Sequence, residues 1–189
     1  MRHIAAGVDL AAKPTRPTGL AILSRDLLAT FTLRADQEIL DLLQAERPDV
    51  VAIDAPLSMP EGEYLREADR EMIRMGLRVL PPGLGPMRAL TERGIRLARE
   101  LRSRGFSVIE VHPRSSAKIL GVPCTKQGIL EALRSFLGSV EVEGLRNRHE
   151  VDAGFAALTG LLHLAGKTEI VGGPGGIVIP SPSLFKTPR

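Results

Sequence analysis

Three aspartates occupy places where carboxylates can act together. Asp9 ends the apolar run IAAGVDL at 4–10, Asp54 follows the run Val50-Val51-Ala52-Ile53, and Asp152 sits near the start of a helical stretch at about 149–165. Carboxylates drawn together repel and hold their protons more tightly unless a cation intervenes. Oxygen-only ligands suit Mg²⁺ or Mn²⁺ better than zinc. Such a site, with Asp9 bridging and Asp54 and Asp152 to either side, is what in-line displacement at phosphorus requires. Each residue also has an ordinary reading. Asp9 would close a turn, Asp54 would cap the segment after its strand, and Asp152 would be an acid favoured by the helix dipole. What argues for a site is that all three begin or end an element.

Two more residues fall beside such a centre. Glu110, in the run FSVIEV at 106–111, reads as a fourth acid or as a residue that orients a ligand. His112 follows at the strand end and titrates in the right range to give a proton to a leaving oxygen. His149 and Glu150 read as helix-capping residues, and Arg88, Arg114 and Lys118 as phosphate contacts or as surface charge.

The elements that must position these residues are legible in outline. Runs at 4–10, 19–24 and 28–33 predict an antiparallel meander, with Pro14 and Pro17 keeping the first link a loop. Helical spacing over 36–46 leads to the apolar strand 50–53, the pattern of a strand buried on both faces. A right-handed crossover returns that strand beside the first, so the expected fold is a mixed five-stranded sheet of order 3-2-1-4-5 with helices on both faces. Asp9 and Asp54 then share one end of adjacent strands, ~4.8 Å apart.

Further helices are expected at 64–75, 87–104, 114–120, 127–137 and 149–165. The last carries the stripe Val151, Phe155, Leu158 and Leu162, expected to face the sheet. Glu169–Val171 and Ile177–Ile179 flank GGPGG as a small hairpin, since that glycine run lacks the Lys-Ser/Thr of a phosphate loop. The closing SPSLFKTPR reads as a loose tail. One domain over 1–189 is expected, with a helical and loop insertion at about 60–104.

Composition narrows the functions. Aromatic residues are only 3% of the 189, which argues against a platform that stacks unpaired bases. The single cysteine, Cys124, rules out an internal disulfide and a cysteine zinc site. The chain has no apolar run of membrane-spanning length, and the expected location is cytoplasmic. Net charge is only +3, but Arg93, Arg96, Arg99, Arg102 and Arg104 fall in one helical stretch. They read equally as a phosphate-contacting stripe and as a solvated face.

The segments GVDLA (7–11), AIDAPLSMP (52–60), READREMIRMG (66–76), VLPPGLGPMRALTERG (79–94), VIEVHP (108–113) and HEVDAGFAALTG (149–160), in this order, resemble the domain-of-unknown-function 429 family. That family is described as predicted nucleases of the ribonuclease-H-like fold, and the final segment is similar to Holliday-junction resolvases. The resemblance implies Asp9, Asp54 and Asp152 as metal ligands, with Glu110 and His112 at a strand-end motif. Fold alone does not fix chemistry. A metal-dependent phosphodiester hydrolase acting on nucleic acid is the leading expectation. A homodimer is allowed and no membrane is expected. The alternatives are ATP-dependent phosphoryl transfer on the actin-like version of the fold, with Thr18-Gly19 in the phosphate loop, and a non-catalytic module stabilised by metal.

Overall fold

The computed structural model describes residues 3–62 and 64–185. The three early apolar runs form the expected meander: β1 (Ala5–Asp9), β2 (Thr18–Leu23) and β3 (Leu27–Leu33) pair antiparallel in turn. Helix α1 (Asp36–Glu46) crosses over and delivers β4 (Val50–Asp54) parallel to β1. Its start is fixed by the Glu38 carboxylate, which accepts from the backbone N–H groups of Arg34 and Ala35.

The remaining elements are α2 (Glu67–Arg74), α3 (Gly85–Ser103), β5 (Val108–Val111), α4 (Pro113–Ile119), α5 (Lys126–Leu137), β6 (Glu141–Glu143), α6 (Arg148–Leu164), β7 (Thr168–Val171) and β8 (Ile177–Pro180). The expected order 3-2-1-4-5 stands as an unbroken part of a wider sheet. Among the described residues eight strands pair as β6-β3-β2-β1-β4-β5-β8-β7. The 169–179 hairpin therefore extends the sheet beside β5 instead of standing apart. Its turn carries Gly172, Gly173 and Gly175 at positive φ, and the Gly172 N–H donates to Glu71 of α2.

Helices cover both faces. Ala6 and Val8 of β1 share one cluster with Ile39 and Leu43 of α1 and Leu97 and Leu101 of α3. On the other side α6 lies across β1, β2 and β4, supported by α4 and α5. Helix α2, in the expected insertion, packs Ala68 and Met72 on Val171, Ile177 and Ile179 of the hairpin. The tail expected over 181–189 begins as a 3₁₀ turn, Pro182–Phe185, and residues 186–189 lie outside the described residues. Among the described residues no helix is long and apolar enough to cross a membrane.

Helix α6 meets the sheet with a face other than the one expected. Its small residues touch the strands: a Cβ placed on Gly7 would lie 2.1 Å from the Ala153 carbonyl oxygen and 2.3 Å from the Ala157 nitrogen. Gly160 faces the side chains of Ala5, Val50 and Ala52 less tightly, at 3.2–3.4 Å from an added Cβ. Val151, Phe155, Leu158 and Leu162 join instead the cluster built with α4, α5 and the end of the meander. At ~100° per residue the two stripes lie on opposite sides of the helix. Gly7→Ala therefore sets a methyl group against backbone that cannot rotate away. It is expected to cost about 1–3 kcal/mol or more, read as a lower denaturant midpoint, and to lift α6 from β1.

Candidate functional site

Backbone pairing places the first two aspartates. Asp9 and Asp54 are partners in the parallel β1–β4 ladder, at the ends of their strands. Each strand ends at its aspartate, which puts both side chains at the same end of the sheet. Asp152 arrives from α6, one turn beyond its N-cap Asn147, whose side chain accepts from the N–H groups of His149 and Glu150. At the fifth helical position Asp152 is past the first turn where the helix dipole favours an acid. All three aspartates line one open cavity of about 430 Å³, with Arg16, Arg114, Arg148 and His149 around them. Every one of these groups comes from a single chain.

The three carboxyls differ in their partners. Asp54 makes no hydrogen bond among the described residues. Burial, and then the nearby carboxylates of Asp9, Asp152 and Glu110, push its carboxyl well above the usual range, with only Arg114 acting against them. Burial also raises Asp9, and the His149 hydrogen bond offsets part of that rise. The Asp9 Oδ2 atom lies 2.7 Å from His149 Nδ1, and Asp152 Oδ1 accepts from the Cys124 thiol at 3.2 Å. Burial and the adjacent Asp152 push that thiol up to about 12, so Cys124 stays protonated as a donor.

Among the described residues no group of three His, Cys, Asp or Glu side chains is already closed around a point that would hold an ion. Asp9 is turned to His149 and Asp152 to Cys124, which separates the like charges. The donor set itself fits a hard divalent cation, because all three aspartates offer oxygen and one of them is held against its preference.

The other expected residues fall in different places. Both Glu110 oxygens are taken: Arg66 Nη2 and Nη1 donate to them at 2.6 and 2.8 Å, and the Leu57 N–H donates at 2.7 Å. Glu110 thus fixes the turn three residues after Asp54. His112 precedes α4 and pairs its Nδ1 with Ser115 Oγ at 2.7 Å. Burial, reinforced by Arg114, lowers its pKa and favours the neutral ring. With Glu110 it lines a cavity that Asp9 and Asp54 also line, and it lines a second cavity beyond; Asp152 lines neither. Arg88 pairs with Glu92 one turn along α3 and lines none of these cavities, whereas Lys118 lines the same neighbouring cavity as Arg114.

Three expectations need correction. Arg93 is not part of a phosphate stripe: it is fully buried, donating to Asp36 and to the carbonyls of Ala11 and Arg34. Thr18 is fully buried and accepts from the Ala11 N–H, so it closes the β1–β2 loop and cannot line a phosphate loop. The cap of α6 is Asn147, not His149 or Glu150. Glu150 is buried and clamps the helix to Thr30 and Thr32 of β3, while His149 belongs to the site. The sign of His149 in the sequence is its spacing: three residues before Asp152, it shares that side of the helix.

Known proteins bear on the fold. RuvC of T. thermophilus, solved in complex with a Holliday junction substrate, superposes with a TM-score of 0.54 at 16% identity, over 86% of this chain and 96% of that one. A second Thermus thermophilus RuvC structure gives 0.48 at 17% identity, over 86% and 96%. A trimeric exonuclease of Pyrococcus horikoshii OT3, PhoExo I in complex with poly-dA, gives 0.30 at 15%, over 59% and 60%. Only the first superposition is close enough to carry weight, and at that identity it speaks for the ribonuclease-H-like fold alone. None of the curated proteins matches the sequence. The family model described as "Protein of unknown function (DUF429)" matches residues 7–175, and the chain belongs to that family.

Proposed function

We propose that this protein is a phosphodiester hydrolase that acts on nucleic acid and uses Mg²⁺ or Mn²⁺ held by Asp9, Asp54 and Asp152. The observation that carries the reading is Asp54, a carboxyl with no hydrogen bond among the described residues, set between two other carboxylates and ringed by arginines. An ion bound there supplies Lewis-acid polarisation of a phosphoryl oxygen and neutralises charge at the reacting centre.

The chain's own groups supply the rest. His149 orients Asp9, and Cys124 holds Asp152 through a thiol that does not ionise near neutral pH. Arg16, Arg114 and Arg148 offset the charge of the phosphodiester. Glu110 and Arg66 keep the β4 exit in place. On this reading the chain is one ribonuclease-H-like domain over 1–189 with segment 60–104 as an insertion. Phosphoryl transfer from ATP fits less well, because the buried Thr18 is unavailable to a phosphate.

The test is cleavage of labelled single-stranded, duplex and branched DNA and RNA in Mn²⁺, Mg²⁺ or chelator. Cation-dependent cleavage of at least one substrate is expected. A folded, Mn²⁺-bound protein that cuts none would contradict the reading and favour a non-catalytic module. Asp152→Glu belongs in the same experiment. The longer side chain displaces the carboxylate by ~1.5 Å, and misplacements of that order cost roughly 100-fold. The variant is expected to fold normally and to lose activity on that scale or change its preference between Mg²⁺ and Mn²⁺.

A further inference from the structure

The three-aspartate cavity has a basic neighbour. A second open cavity, of about 740 Å³, is lined by Arg78, Leu80, His112, Arg114 and Lys118 among others, with no Asp or Glu in its lining. Arg114 lines both cavities and so sets them side by side. Arg78 and Arg114 are exposed and hold no hydrogen bond or ion pair among the described residues. Lys118 donates to the Gly76 carbonyl at 2.9 Å, which ties α4 to the segment carrying Arg78 and fixes the spacing of two cations across the cavity. Leu80 stands 66% exposed and lines it too, and so offers an apolar edge.

A phosphomonoester or a single nucleotide would be served by the first cavity and its arginines. The second cavity gives three cations with no acidic partner, displaced from the carboxylates and adjacent to them at Arg114. We propose that this groove seats the backbone of a polynucleotide strand beyond the phosphate at the three-aspartate site, so that the substrate is a chain of several nucleotides. This rests on the phosphodiesterase reading above and names its substrate class. Contact is made to phosphate by Arg78, Arg114 and Lys118, and base identity contributes little, because the lining holds no Phe, Tyr or Trp to stack on.

Binding is measured by fluorescence anisotropy on the full chain in chelator, so that neither metal nor turnover enters. The probes are a labelled single strand of about twelve nucleotides and, by competition, a mononucleoside monophosphate. Each phosphate contact on a single strand contributes ~0.7 to the salt slope of log affinity. Arg78→Ala with Lys118→Ala is expected to weaken the strand roughly tenfold and to flatten its slope by about 1.4, with the mononucleotide unaffected. Arg78→Glu alone gives a second variant that leaves the Lys118–Gly76 bond in place, and melting curves check that each protein is folded. Arg88→Ala, outside the groove, is expected to bind like the wild type. A wild type that does not bind the strand, or a double variant with unchanged affinity and slope, overturns the proposal. An equal loss for the mononucleotide also overturns it, in favour of a small-nucleotide pocket. Groove-dependent binding without any Mn²⁺-dependent cleavage would leave the groove standing and remove the hydrolase reading instead.

Discussion

Asp54→Asn is expected to reduce cation-dependent cleavage on the order of 10³-fold or more, while raising the melting temperature measured in chelator. Both effects come from one carboxylate. Burial and the charges of Asp9, Asp152 and Glu110 raise its pKa above the ~3.9 of an unfolded aspartate. The folded state therefore takes up the proton more readily than the unfolded one. The stability that this confers is complete below about pH 4 and is lost as pH rises through the raised folded value. Above that value the folded chain carries a charge it disfavours.

Asparagine keeps the shape and removes the charge, so the variant's advantage over wild type should grow as pH rises from about 4 towards 7 in chelator. The comparison with wild type at each pH cancels the opposite contribution of Glu150. Burial acts to raise that carboxyl, but donors from Arg146, Thr32 and Thr30 outweigh it and leave its pKa lowered. In Mn²⁺ the order should reverse, since an ion that binds only the folded wild type stabilises it by mass action. A lower melting temperature for Asp54→Asn in chelator would mean that the carboxylate is an ordinary structural acceptor.

The largest stability effect is expected from Arg66→Ala. Its guanidinium forks to Glu110 at 2.6 and 2.8 Å and to Asp69 at 2.8 and 3.0 Å. Glu110 and Asp69 are only 5% and 1% exposed, so removing the arginine strands two buried carboxylates. Breaking a buried pair in this way costs about 3–5 kcal/mol, a large share of the ~5–15 kcal/mol that holds a domain folded. For a chain of this length that corresponds to a fall of roughly 6–20 °C in melting temperature. Replacing the whole group, with Arg66→Met, Asp69→Asn and Glu110→Gln together, should recover much of the loss, because no buried charge is left. A single Arg66→Ala within 1 kcal/mol of wild type would show that water reaches the two carboxylates. Glu110 also holds the Leu57 N–H, so the same single variant is expected to disturb the turn after Asp54 and lower activity.

Much of the site was legible because its residues punctuate elements. Asp9 and Asp54 end runs whose apolar character marks them as strands, and one crossover then makes them register partners. What stayed hidden depended on burial that periodicity does not report. Helix α6 is apolar nearly all round, so its stripe of large residues looked like the core face, yet Gly7 in β1 admits only the small one. Asp152 lies between the two stripes, so it lines the cavity with Asp9 and Asp54 even though the helix presents the other face to the sheet. The arginines of α3 step by three residues, each step falling ~60° short of a full turn, so the row winds around the helix and carries Arg93 into the interior. Strand β6 is three residues with a glutamate at either end, the short charged form of an edge strand, and offered no apolar run to recognise.

The central claim, that Asp9, Asp54 and Asp152 together hold a divalent ion, is tested most directly by the anomalous signal of a crystal soaked in Mn²⁺. The expected result is a peak within ~2.0–2.6 Å of carboxylate oxygens of Asp9 and Asp54, with the Asp152 carboxylate turned from Cys124 towards it. Crystals that bind Mn²⁺ elsewhere, or not at all, with Asp9 still on His149 and Asp152 still on Cys124, would contradict it.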